Sequence, residues 1–86
     1  MIPKMNLKEK AIATGTNMVI KKIGLNGFVN EYSKMGDKYD AEAGKKYKSA
    51  EEEVAHFVEI VPLLKPVEKT LVQLTRNYRR EKGLLV

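Results

Sequence analysis

The chain contains no cysteine and no tryptophan, one histidine and three prolines. Without cysteine, disulfides, thiolate metal sites and cysteine nucleophiles are excluded together, and the core rests on hydrophobic packing alone. A single histidine, His56, rules out a two-histidine metal site or acid/base pair within one chain. Its place one residue before Phe57 in a helical pattern fits a partly buried structural or surface side chain better than a catalytic one. No uninterrupted apolar run approaches about 18 residues, so no membrane span is expected. Met1 to Lys10 carries lysines at 4, 8 and 10 but no apolar block ahead of a small-residue cleavage site, so no secretory signal is expected and the cytoplasm is the expected location.

Catalytic and ligand-binding motifs are also missing. Ser33 and Ser49 could be paired with His56, but neither stands in a G-x-S-x-G context. A calcium loop starting at Asp37 would put Tyr39, Ala41, Glu42 and Lys48 where ligands and the obligatory glycine belong. Gly24-Leu-Asn-Gly27 lacks the lysine and hydroxyl of a phosphate loop, and no dinucleotide fingerprint is present. A helix-turn-helix can be aligned on Ala11 and Gly15, but it sets Lys21 and Gly24 at apolar core places. No zinc finger, basic zipper or RNA-recognition motif is written in the chain. The expectation is a protein that is not an enzyme, with no cofactor and no metal.

What the chain has is charge and helical periodicity. Its 86 residues are 43% hydrophobic and 31% charged, with a net charge of +5 and a pI near 9.5. One small domain is the most such a length supports, and a chain of this size buries only about 60% of its unfolded surface, so homo-oligomerisation is expected to help. Residues 1 to 48 carry ten lysines against five acids, while residues 49 to 86 balance six bases with six glutamates. Within that balanced half, Glu51, Glu52, Glu53 and Glu59 precede a basic stretch from Lys65 to Lys82. An acidic helix followed by a basic one can pair as an antiparallel hairpin.

The spacing predicts an all-α fold, a small bundle or open array of three to four helices, roughly over 6–23, 27–46, 50–61 and 66–82. Asn6 with Glu9 reads as a capping box for the first, although the β-branched run in Asn17 to Ile23 also suits a short strand. Gly24 to Gly27 is a turn signal. Phe28, Tyr32, Met35, Tyr39, Ala43 and Tyr47 then recur at helical spacing, with Gly36 as a candidate kink. These tyrosines, flanked by lysines, could stack on bases, but aromatics at helical spacing are more often core. Ser49 with Glu52 is a second capping box. Phe57, Ile60, Leu64, Val67, Leu71, Leu74 and Tyr78 form one stripe that runs through Pro62 and Pro66. Proline disfavours a helix interior, so a break after Val61 is preferred to one long helix kinked at Pro62. Gly83 ends the last helix after Arg79, Arg80 and Lys82, leaving an apolar tail of Leu84 to Val86.

Two functions compete. In the first, Lys65, Lys69, Arg76, Arg79, Arg80 and Lys82 of the C-terminal helix lie along a nucleic-acid phosphate backbone, in a non-catalytic or regulatory role. In the second, Leu64, Val67, Leu71, Leu74 and Tyr78 form an apolar seam against another protein or a second copy, with the charges setting register. The first weakens if the acidic helix folds over the arginines.

Overall fold

A computed structural model describes residues 5–86. It is all-α: α1 spans Leu7–Ser33, α2 Ala41–Gly44, α3 Ala50–Ile60 and α4 Glu68–Glu81, with 3-10 turns at Gly36–Lys38 and Pro62–Val67. No strand occurs among the described residues, and the β-branched run before Gly24 is helical.

The first helix begins as its sequence dictates. The Asn6 side chain accepts from the Glu9 amide at 2.8 Å, and the Glu9 carboxylate accepts from the Asn6 amide at 3.4 Å, so two otherwise orphaned amide donors are satisfied. Gly24 is the residue inside α1 that leaves helical geometry, at φ 80° and ψ 172°. That region is essentially closed to residues with a β-carbon. The expected turn is therefore a one-residue hinge, and α1 has a first segment, 7–23, and a second, 25–33.

The helix expected over 27–46 does not run unbroken. It stops at Ser33, passes through the 3-10 turn at Gly36, whose φ is +40°, and restarts at Asp40, which caps α2 by accepting from the Ala43 amide at 3.1 Å. The break falls at Gly36, which the sequence marks as a candidate kink, while Phe28, Tyr32 and Tyr39 still converge on one buried core.

Ser49 caps α3, with its hydroxyl accepting from the Glu52 amide at 3.1 Å. The Glu52 carboxylate accepts from the Lys48 amide at 3.0 Å rather than from Ser49, so the expected box closes one residue early. Val61, before Pro62, lies outside the helical region at φ −132° and ψ 78°, where the following ring drives it. The chain bends there, and α4 returns along α3, with Arg76 against Glu51 and Arg79 against Glu53. The antiparallel acidic and basic pair expected from charge is formed within the chain.

The core follows from this bend. Val54, Val61, Leu64 and Leu71 are sealed, and Ile20, Phe28, Tyr32, Tyr39, Ile60 and Tyr78 close around them. The expected intermolecular seam is thus corrected. Leu64, Leu71 and Tyr78 are buried inside one chain and so are not free to meet a partner, while Val67 and Leu74 are half-buried against the same core. Gly83, at φ +75°, ends α4, and the Leu84 amide donates back to the Arg79 carbonyl at 2.8 Å.

Gly44 allows a close approach. A β-carbon there would run into the Tyr39 hydroxyl and lie 3.1 Å from a Leu84 methyl. Gly44→Ala is expected to cost about 1–3 kcal/mol by overpacking, seen as a lower urea midpoint. An unchanged midpoint would mean that Tyr39 and Leu84 move aside freely.

Candidate functional site

The folding of α3 over α4 decides which basic residues face outward. Arg76 is half-buried and 3.1 Å from Glu51, and Lys65 pairs with Glu68 at 2.9 Å. Arg79 is 1% exposed, so it cannot contact a phosphate backbone as expected. Its position at the edge of the basic stripe brings it onto α3 as soon as the chain bends at Pro62. Of the six cations expected to bind phosphate, Lys69, Arg80 and Lys82 are exposed with no carboxylate at ion-pair distance among the described residues.

Arg79 is the hub of this end of the molecule. Its Nη1 donates to the Glu53 carboxylate at 2.7 Å and to the Gly44 carbonyl at 2.8 Å. Its Nη2 donates to the Tyr47 carbonyl at 2.8 Å and its Nε to the Leu85 carbonyl at 2.6 Å. A guanidinium presents five donors in a fixed plane, and here one plane ties α4 to α3, to the 44–48 segment and to the tail. Tyr39 completes the cluster by donating its hydroxyl to Glu53 at 2.7 Å. Burial, then the Glu53 hydrogen bond and charge, raise the Tyr39 pKa, and Arg79 opposes the rise. Among the described residues, no buried side-chain nitrogen or oxygen lacks a partner.

The consequence is that two basic segments are tied to each other. By clamping the carbonyls of Gly44 and Tyr47, Arg79 holds the segment bearing Lys45, Lys46 and Lys48 against the end of α4, which bears Arg80 and Lys82. All five side chains are exposed, and only Lys45 has an ion-pair partner among the described residues, Glu42 at 2.9 Å. The run Gly44-Lys-Lys-Tyr-Lys48 was visible in the sequence as basic. Its meeting with Arg80 and Lys82 was not, because that depends on a buried polar residue whose partners lie 26 to 35 positions away.

A second feature lies beside it. A groove of about 890 Å³ separates the first segment of α1, through Ile12, Thr16 and Val19, from an aromatic wall of Phe28, Tyr32 and Phe57. The wall rings lie 6.0 to 6.5 Å apart, centre to centre. At the mouth, His56 meets Glu9 and lies 3.6 Å from Glu59, with its ring 5.8 Å from that of Tyr47. Lys8 stands 3.8 Å from Asp40. The hydrogen bond with His56 is the main reason the Glu9 pKa lies below its ordinary value.

His56 is thus a half-buried fastener between α3 and α1. The serine hydroxyls are engaged elsewhere: Ser33 donates to the Asn30 carbonyl at 2.6 Å, and Ser49 caps α3. Among the described residues, no cluster of three or more His, Asp or Glu is arranged to hold a metal ion, and no helix is long and apolar enough to cross a membrane. No family model, curated protein or solved structure matches the chain.

Proposed function

We propose that this is a small non-catalytic protein that binds the phosphate backbone of nucleic acid through Lys45, Lys46, Lys48, Arg80 and Lys82. The observation that carries the proposal is the Arg79 clamp, which ties two basic segments far apart in sequence to each other. The charge balance agrees with it. Six of the eleven carboxylates pair with a lysine or arginine and two more meet His56, while the net charge of +5 leaves basic side chains in excess. Such contacts are sequence-independent and weaken steeply with salt as counterions compete. The same reading sets the protein in the cytoplasm.

Electrophoretic mobility shift on a short duplex tests it. Five phosphate contacts give a loss of affinity of several hundredfold between about 50 and 200 mM salt. Lys48→Glu with Lys82→Glu is expected to weaken binding on all sequences alike and to lower the salt slope by about one per contact removed. Absence of any shift at low salt overturns the proposal. A second reading, a protein-assembly module, now draws on α1 rather than α4, because Leu7, Met18 and Ile23 are exposed at 86%, 65% and 46%.

A further inference from the structure

We infer that the protein forms a dimer by exchange, in which residues 7–23 of each copy leave their own body and dock in the same place on the other, with Gly24 as the hinge. The inference is independent of the basic surface. It begins with connectivity. Helical geometry holds on both sides of Gly24 and fails there alone, so the first segment of α1 is joined to the body by one adjustable residue. Gly27 serves the same closed form, since a β-carbon there would stand 2.8 Å from Cγ1 of Ile23. If Gly24 turns helical, α1 becomes a single rod of about 40 Å. That is longer than the 32 Å long axis of the closed molecule. Residues 7–23 then cannot reach their own body, and the wall of Phe28, Tyr32 and Phe57 loses its cover on that side.

A second copy of the same segment fits that site by charge. Lys8 and Glu9 lie on the segment, and their partners Asp40 and His56 lie on the body, so both pairs cross the boundary and re-form between copies. Ala13 and Ile20 belong to the same buried cluster as Phe28 and Tyr32, and they return to it in the exchanged pair. Exchange keeps these contacts and adds others. Met18 and Ile23, exposed in the closed chain, lie nearest the hinge, where two straightened α1 helices pass each other.

Because the chain has no cysteine, cross-linking can test this directly. The Glu9→Cys, His56→Cys double variant is oxidised at high micromolar concentration and weighed before and after reduction, with mapping of the disulfide by mixing heavy and light chains. Exchange gives twice the chain mass, with residue 9 of one isotope joined to residue 56 of the other. A monomer mass, with or without a disulfide, overturns the inference, and so does a dimer whose disulfides are all within chains. Gly24→Ala adds a second measurement by sedimentation. Alanine is nearly barred from the hinge conformation, so the dimer is expected to tighten roughly tenfold or more. If this variant fails to fold, the cross-link in the wild-type hinge still decides.

Discussion

Arg79→Ala will lower the thermal midpoint by roughly 15–30 °C, or prevent folding at physiological temperature. Truncation removes four hydrogen bonds, of which the one to the Gly44 carbonyl is fully buried and the other three are part-buried, and it leaves Glu53, whose side chain is 18% exposed, without its cation. Breaking a buried pair from one side costs about 3–5 kcal/mol, and in a domain of this size each kcal/mol shifts the midpoint by about 4–8 °C. Stabilities of small domains are about 5–15 kcal/mol, so the loss takes a large share. Arg79→Lys is expected to recover only part of it, because one ammonium cannot reach Glu53, Gly44, Tyr47 and Leu85 together. Melting followed by circular dichroism checks both variants. A loss below about 1 kcal/mol for the alanine variant would mean that the cluster is wetter and looser than its geometry indicates.

Arg79 also shows what periodicity can and cannot reveal. The apolar residues of α4 were legible as a face, and Leu71 and Tyr78 do lie in the core. The face is centred elsewhere, however. Its buried residues are Leu71, Thr75, Tyr78 and Arg79, while Leu74 is only half-buried. Two polar side chains rotate the helix away from the purely hydrophobic optimum. Thr75 enters because its hydroxyl hydrogen-bonds the Tyr32 hydroxyl at 2.5 Å, and Arg79 because Glu53 and three carbonyls await it. A buried polar residue is recognised by its partners, and these partners are distant in sequence.

Local signals fared differently. The Asn6 box, the Ser49 cap, the bend after Val61 and the stop at Gly83 each depend on a few adjacent residues, and each was legible. The same locality misplaced the seam. The spacing from Leu64 to Tyr78 identifies a surface that must be covered, but not whether the cover is the same chain or another. The acidic run at Glu51 to Glu53 held the answer, since Glu51 and Glu53 pair with Arg76 and Arg79 within the chain.

Raising the pH will unfold the protein cooperatively between about pH 10 and 12, through the core tyrosines. Burial pushes the Tyr32 hydroxyl up to about 12, with the charges of Glu53 and Tyr78 adding to the rise and the Thr75 hydrogen bond opposing it. Tyr39 is raised as well, chiefly by burial and then by its hydrogen bond to Glu53. In the unfolded chain both titrate near 10. Above that pH the unfolded state releases protons that the native state keeps, so stability is intact below about pH 10 and falls as pH climbs toward the native values. Each unit costs about 1.4 kcal/mol per tyrosine, so Tyr32 alone removes on the order of 3 kcal/mol, and Tyr39 adds to it. Tyrosinate absorbance and helical ellipticity, followed together, check this. The absorbance change from these two rings is expected to coincide with loss of helix, and Tyr32→Phe is expected to flatten the alkaline fall while costing about 1 kcal/mol at neutral pH, where the Thr75 hydroxyl loses its partner. Ionisation of Tyr32 and Tyr39 near pH 10 with the helices intact would contradict their burial. Both rings meet the Tyr78 ring, at 5.8 and 5.7 Å between centres, so unpaired charge on either would open the contact between α1 and α4 that closes the core.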